Sequence, residues 1–327
     1  MPEPESPLAA LEQLSAEVGV PLDDLRRTVE EALAAAYRRA FEPQGEIRVQ
    51  LAAGTGEMEV VLRQETDAGV TESRLPVDDF KRMAAQTARS AVMRHLRDLE
   101  RDRALNELAR RQGELANGTV DRIERGTVYV DLGKVDGWMP ADEQIPGERL
   151  VVGRPVTVLV LEPKSPRPRQ AMVRVSRASR VFVLRLLEAE VPEIHAGTVQ
   201  VRAIAREPGL RTKIAVSSSE PGIDPVGACV GPKGVRHRSL LAELGSEHVD
   251  IVPWDADPER FVAGALGPAT VVSVTVETDT RTAHVRVPRD QLSLAIGRDG
   301  QNARLAAKLT GWRVDIKAVE QDGAGAS

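Results

Sequence analysis

Apolar residues in "LDDLRRTVEEALAAAYRRAF", Leu22 to Phe41, recur at three- and four-residue spacing, the mark of a helix with one buried face. Ser6 with Pro7 opens an earlier helix, Gly19 closes it, and Pro21 starts the second. The period then drops to two: "EIRVQLAA" and "EMEVVLRQE", separated by Gly54 and Gly56, predict a hairpin. From Pro76 to Arg111 neither Gly nor Pro interrupts a highly charged run. This predicts a long helix better suited to spanning between domains than to burial.

The pattern changes at Gly113. Residues 118 to 180 are rich in Val, Gly and Pro, with turn signals between about five short apolar runs, which fits a small five-stranded antiparallel barrel of the oligonucleotide-binding type. After Ser179, "RVFVLRLLEAEVPEI" predicts a helix ended before Pro192, and "GTVQVRAIAREP" and "RTKIAVSSS" predict strands. Two further segments, beginning near Pro225 and near Asp290, share one layout: short helix, Gly-x-x-Gly, second helix, glycine stop, strand.

With 26 glycines in 327 positions, a Gly-x-x-Gly tetrad arises roughly twice by chance, so the bare motif carries nothing. Three occur: Gly231 to Gly234, Gly264 to Gly267, and Gly297 to Gly300. The first and third are each followed by a glycine eleven residues on (Gly245, Gly311) and then by Val-Asp-Ile at 249–251 and 314–316. The middle one, "GALG", has neither that sequel nor a cation inside, and is the chance match. Two glycines let backbone amides approach phosphates, and the helix that follows presents free N–H groups and the positive end of its dipole. A cation between them, Lys233 or Arg298, adds a charge-assisted contact. This arrangement clamps about four nucleotides of single-stranded nucleic acid in KH domains. The candidate RNA-binding residues are therefore Gly231, Lys233, Gly234 and Arg236 in the first copy, and Gly297, Arg298, Gly300, Gln301 and Arg304 in the second. Pro232 removes one backbone donor, which makes the second loop the better clamp.

Composition narrows the function. Net charge is −5, and residues 1 to 111 carry all of it, with 16 Lys and Arg against 21 Asp and Glu; the remainder is balanced. A neutral RNA-binding part must place a few cations locally, because no bulk basic field exists to help it. Nine aromatic residues are too few for an aromatic stacking sheet; Trp138 and Tyr129 in the barrel segment are the candidates for base stacking, while Trp254 and Trp312 read as core. Cys229 is the only cysteine and reads as a small buried side chain. The five histidines never fall at a metal-ligand spacing, so neither a metal nor a cofactor is expected. No apolar run is long enough to span a membrane and the start of the chain is acidic and proline-rich, so a cytoplasmic protein is expected.

No phosphate-binding loop, nucleophile elbow or zinc-protease motif is present, and an enzyme is not expected. "SAEVGVPLDDLRRTVEEAL" has the outline of a helix-turn-helix, but Asp23, Asp24, Glu30 and Glu31 on its second helix would repel DNA phosphates. An accessory of RNA degradation or processing built from S1 and KH modules is a further alternative; the module order and the acidic arm speak against it.

The order of parts, with the stretches "EVPEIHAGTVQVRAIAREPGLRTKIAV", "DPVGACVGPKG", "VDIVPWDADPERFVAGALGPA" and "DQLSLAIGRDGQNARLAAKLTGW", resembles the NusA family of transcription termination/antitermination factors over nearly the full length. The resemblance implies a multidomain α+β protein. Its parts would be an α/β N-terminal arm with a long helix at 1–111, a five-stranded S1 barrel at 112–178, two tandem KH domains of the bacterial type at 179–253 and 254–319, and a disordered tail at 320–327. It also implies that the arm docks on RNA polymerase and that the S1 and KH modules hold nascent single-stranded RNA. The resulting activity would be modulation of pausing, termination and antitermination, with other elongation or antitermination factors as further partners. The acidic C-terminal repeats found in some members are expected to be absent after "DGAGAS".

Overall fold

A computed structural model describes residues 7–52, 56–66, 69–162 and 172–319. The tail expected to be disordered, 320–327, and the helix start at Ser6 lie outside the described residues. The chain forms two compact units, Met1–Arg103 and Ala104–Ser327.

In the first unit, α1 (Pro7–Val18) and α2 (Leu22–Phe41) precede an antiparallel sheet of β1 (Glu46–Leu51), β2 (Met58–Thr66) and β3 (Gly69–Leu75), in the order β1-β2-β3. The helical spacing of α2 brings Leu25, Val29, Leu33 and Tyr37 onto one buried face. They meet Ile47, Val49 and Leu51, the inward set of β1's strict alternation. Each such side chain contributes roughly 1.5–3 kcal/mol on full burial. β3 was not expected, and its composition explains why: Gly69 to Arg74 are all exposed, so this edge strand has no apolar alternation to reveal it. The long helix is real but begins later than Pro76. A 3-10 turn at Asp78–Phe80 leads into α3 (Lys81–Arg110). It is also less free than its charge suggests, because Phe80, Ala84 and Val92 are buried in the core of the unit, with Phe80 edge-on to Tyr37.

The second unit opens with a closed barrel of β4 (Leu115–Glu124), β5 (Thr127–Asp131), β6 (Asp136–Met139), β7 (Pro155–Val160) and β8 (Met172–Ser176), ordered β4-β5-β6-β8-β7. Arg125 and Gly126, both at positive φ, make the two-residue turn between β4 and β5. The interior is filled by Val120, Val128, Val130, Val158, Val173 and Val175.

Two αββααβ modules follow. The first has α4 (Arg180–Glu190), a short α5 (Pro192–His195), β9 (Val199–Glu207), β10 (Arg211–Ser218), α6 (Pro225–Val230), α7 (Val235–Leu244) and β11 (His248–Pro253). The second has α8 (Pro258–Ala265), β12 (Ser273–Glu277), β13 (Thr282–Pro288), α9 (Leu292–Ile296), α10 (Gln301–Thr310) and β14 (Arg313–Val319). In each, the middle strand pairs antiparallel with the first and parallel with the last, the topology of the bacterial KH domain. Cys229 is fully buried in the first module, and burial pushes its thiol up to about 11.

The two modules share one core. Ala203, Ala205, Ala215 and Val252 on the outer face of the first sheet pack with Phe261, Val262 and Ala265 of α8 and with Ala306 of α10. Lys213, fully buried at the same face, bonds Asp250 at 3.0 Å and the Gly267 carbonyl of the second module at 2.8 Å. Burial pulls the Lys213 ammonium down. Burial would raise the Asp250 carboxyl, but hydrogen bonds from Arg211 and the Lys213 charge hold it below the usual range. On the corresponding face of the second sheet, Thr275, His284, Arg286 and Lys317 are exposed.

Candidate nucleic-acid interface

Each matched Gly-x-x-Gly sits where a short helix ends and a longer one starts. The two loops have the same backbone: φ/ψ of 74/171 at Gly231 and 77/171 at Gly297, and 73/21 at Gly234 and 73/12 at Gly300. The residue before the last glycine is left-handed in both, at 54/23 for Lys233 and 52/27 for Asp299. The first glycine's amide closes the preceding helix, on Gly227 O and Ser293 O, at 2.9 Å in both copies. The middle tetrad is different: Gly264 lies inside α8, and neither it nor Gly267 has positive φ.

The repeat extends to the side chains that support the loops. Arg236 and Asn302, sixty-six residues apart, lie beneath the first glycine and donate to the carbonyls of Ala228 and Leu294, which are also sixty-six apart. Asn302 is fully buried and reaches Leu266 O at 2.9 Å as well. A Cβ on Gly297 would stand 2.8 Å from both the amide nitrogen and Cβ of Asn302, and one on Gly300 would meet nothing. The gap above Gly300 is thus open to an incoming group.

The loops differ in what they offer a phosphate. The tips are exposed, and the Arg298 side chain is 95% accessible. No backbone carbonyl among the described residues accepts from the amides of Arg298 and Asp299, whereas Pro232 leaves only Lys233 in the corresponding stretch. The cations also occupy different positions, second in the first loop and first in the other.

Three candidates are placed differently from the expectation of direct phosphate contact. Arg236 turns inward onto Glu193 at 2.8 Å. Arg304 grips Glu207 through two nitrogens at 2.6 and 2.8 Å, and Gln301 approaches the same carboxylate at 3.4 Å. Sequence spacing puts these three beside the loops. It could not show that acidic residues far along the chain would reach them. The Arg304 bonds hold the Glu207 carboxyl down at about 2, against an ordinary value of 4.5. Arg238, which is not among the candidates, donates to the Lys233 carbonyl at 2.6 Å and is structurally equivalent to Arg304.

The barrel brings Arg122, Tyr129, Trp138 and Arg174 into one row, each paired with the next across adjacent strands. Tyr129 is only 5% exposed, with the Arg122 guanidinium 4.0 Å from its ring centre, so it has no face to give a base. Trp138 is half-buried, and Arg174 lies 5.9 Å from its ring centre, held by Asp142 and Glu143. Trp254 and Trp312 pack against the shared KH core, as expected.

A five-stranded barrel leading into two KH modules with paired Gly-x-x-Gly loops defines a multi-module RNA-binding protein. The family of the NusA N-terminal domain matches residues 8–71, that of the NusA-like first KH domain 177–254 and that of the NusA-like second KH domain 258–323. Across 95% of its length the chain is 41% identical to the transcription termination/antitermination protein NusA of Mycobacterium tuberculosis, covering 92% of that protein. The corresponding protein of Bacillus subtilis is 38% identical, with 95% of this chain and 90% of the relative covered. A solution structure of the N-terminal domain of NusA from B. subtilis is 30% identical, covering 29% of this chain and 95% of that one, at a TM-score of 0.25. The chain belongs to the NusA family of transcription termination/antitermination proteins.

Proposed function

We propose that the two Gly-x-x-Gly loops clamp single-stranded nascent RNA while residues 1–111 engage RNA polymerase, so that the protein modulates pausing, termination and antitermination. In this reading 112–178 is the S1 module, 179–253 and 254–319 are the KH modules, and the work is done in the cytoplasm. Lys233, Arg298 and the loop amides contact phosphate; the four glycines let it approach; Arg236, Gln301 and Arg304 position the loops. The observation that carries the reading is the near-identity of two unusual backbone turns sixty-six residues apart, each with an exposed tip leading into a helix N-terminus.

Arg298→Asp tests it. Losing one charge-assisted contact and adding a repelling charge should weaken single-stranded RNA binding by about tenfold or more, and should flatten the dependence of log K on log salt by roughly one phosphate equivalent. Lys233→Asp should give a smaller loss, because its loop offers fewer free amides. Unchanged affinity and salt slope in a folded Arg298→Asp protein would remove the clamp assignment.

For the arm, support comes from an apolar groove of about 1010 Å³ in the first unit, lined by Leu14, Leu33, Met58, Ala85, Ala88 and Met93. Met93 is 50% exposed, a large apolar side chain at the groove's edge. Met93→Glu in the full chain should abolish co-purification with RNA polymerase without unfolding the unit. Retained co-purification would place the contact elsewhere.

A further inference from the structure

The two loops are repeats, yet the second is braced by a carboxylate of the other module. Four residues past the last glycine stands an arginine in both, Arg238 and Arg304. Each sends Nη1 back to the carbonyl of the left-handed loop residue: Arg238 to Lys233 at 2.6 Å, Arg304 to Asp299 at 3.2 Å. Arg238 has no carboxylate partner among the described residues. The other two nitrogens of Arg304 are taken by the two oxygens of Glu207, and Lys308 Nζ joins the same carboxylate at 3.2 Å.

Glu207 belongs to the first KH module. It ends β9 and begins a turn that is fixed on two sides. The Gly209 amide donates to Glu247 at 2.9 Å, and a Cβ on Gly209 would stand 2.5 Å from the Pro146 carbonyl of the barrel segment. A carboxylate on that rigid turn therefore holds Gln301, Arg304 and Lys308, three residues of α10.

We propose that Glu207 is the positioning residue of the second RNA clamp, orienting Arg304 so that Arg304 fixes the Asp299 carbonyl and with it the direction of the free loop amides. The proposal rests on the reading of the loops as RNA clamps. A bidentate arginine–carboxylate pair sets angle as well as distance, which a single point contact does not. Asp299 is a non-glycine residue in the left-handed region, a conformation that persists only when its surroundings hold it. RNA bound at the second clamp thus depends on the first module even where it does not touch it.

Charge alone predicts the opposite result. Removing Glu207 leaves Arg304 and Lys308 unpaired beside the RNA path, which should tighten binding and steepen its salt dependence. The two accounts separate in a titration of the full chain with a single-stranded oligoribonucleotide long enough to span both loops. Glu207→Gln should weaken binding about fivefold, and Arg304→Lys, which keeps the charge but loses the fork, should do the same. In double-mutant cycles, Glu207→Gln should add almost nothing to Arg298→Asp, and should multiply with Lys233→Asp. Tighter binding with a steeper salt slope overturns the proposal, as does wild-type affinity in Arg304→Lys or equal additivity in both cycles. An inert Arg298→Asp is a different failure, since it removes the clamp reading itself and this proposal with it.

Discussion

Glu247→Ala should destabilise the second unit by about 3–5 kcal/mol, the cost of removing one partner of a buried ion pair and leaving the other charge uncompensated. Glu247 is 1% exposed, and its carboxylate receives Arg206 Nε at 3.0 Å, Arg206 Nη2 at 2.9 Å, the Thr212 hydroxyl and the Gly209 amide. The Arg206 side chain is 2% exposed, and its remaining nitrogen donates to the Arg177 and Ser179 carbonyls at the junction of barrel and first KH module. Without Glu247 a guanidinium stays buried with only carbonyl partners. Glu247→Gln keeps the shape and part of the hydrogen bonding, and should cost less. Urea denaturation read by tryptophan fluorescence suits the measurement, because Trp138, Trp254 and Trp312 all lie in the second unit and are the only tryptophans. A loss below about 1 kcal/mol for Glu247→Ala would mean that water reaches Arg206 and replaces the carboxylate.

The second large effect is expected at Gly297. Its φ of 77° with ψ of 171° lies in a region open essentially to glycine alone, and an alanine Cβ would press on the Asn302 backbone at 2.8 Å. Strain of this kind costs about 1–3 kcal/mol, and since Asn302 is fixed by three carbonyls the loop has to move instead. Gly297→Ala should therefore lose about tenfold or more in RNA affinity as well as stability. Gly300→Ala is the control: φ of 73° and ψ of 12° are left-handed, at a cost of about 1–2 kcal/mol, and its Cβ enters open space. Stability losses should rank Gly297 above Gly300. Equal losses would show that the loop yields at its first glycine.

Much of this was legible in the residues because the informative signals are local. Period, glycine stops and proline starts located α1, α2, the barrel strands and both Gly-x-x-Gly units within a few residues. What escaped was either featureless or non-local. β3 has no buried side to imprint a pattern, and α3 hides its apolar contacts among so many charges that its half-buried role does not show. The loop cations were found, but Glu207 lies about a hundred positions from Arg304, and Glu193 more than forty from Arg236. No spacing rule reaches that far. The stacking assignment of Tyr129 failed for a different, local reason: the β4–β5 hairpin sets Arg122 directly opposite Tyr129, and its guanidinium covers the ring.

The shared core between the KH modules also sets a limit on growth. In a stacked array each member offers a helical side to the sheet before it and a sheet to the helices after it, and the terminal members need a polar outer surface. Ala203, Ala205 and Ala215 make the first sheet a surface for stacking. His284 occupies the place of Lys213, paired with Asp315 as Lys213 is with Asp250, and Arg286 and Lys317 stand where alanine and valine do in the first sheet. Another copy of the same unit laid on that surface would have to strip water from these charges with no apolar gain in return. The second module is in this sense an end cap, and the stack is a pair by its chemistry.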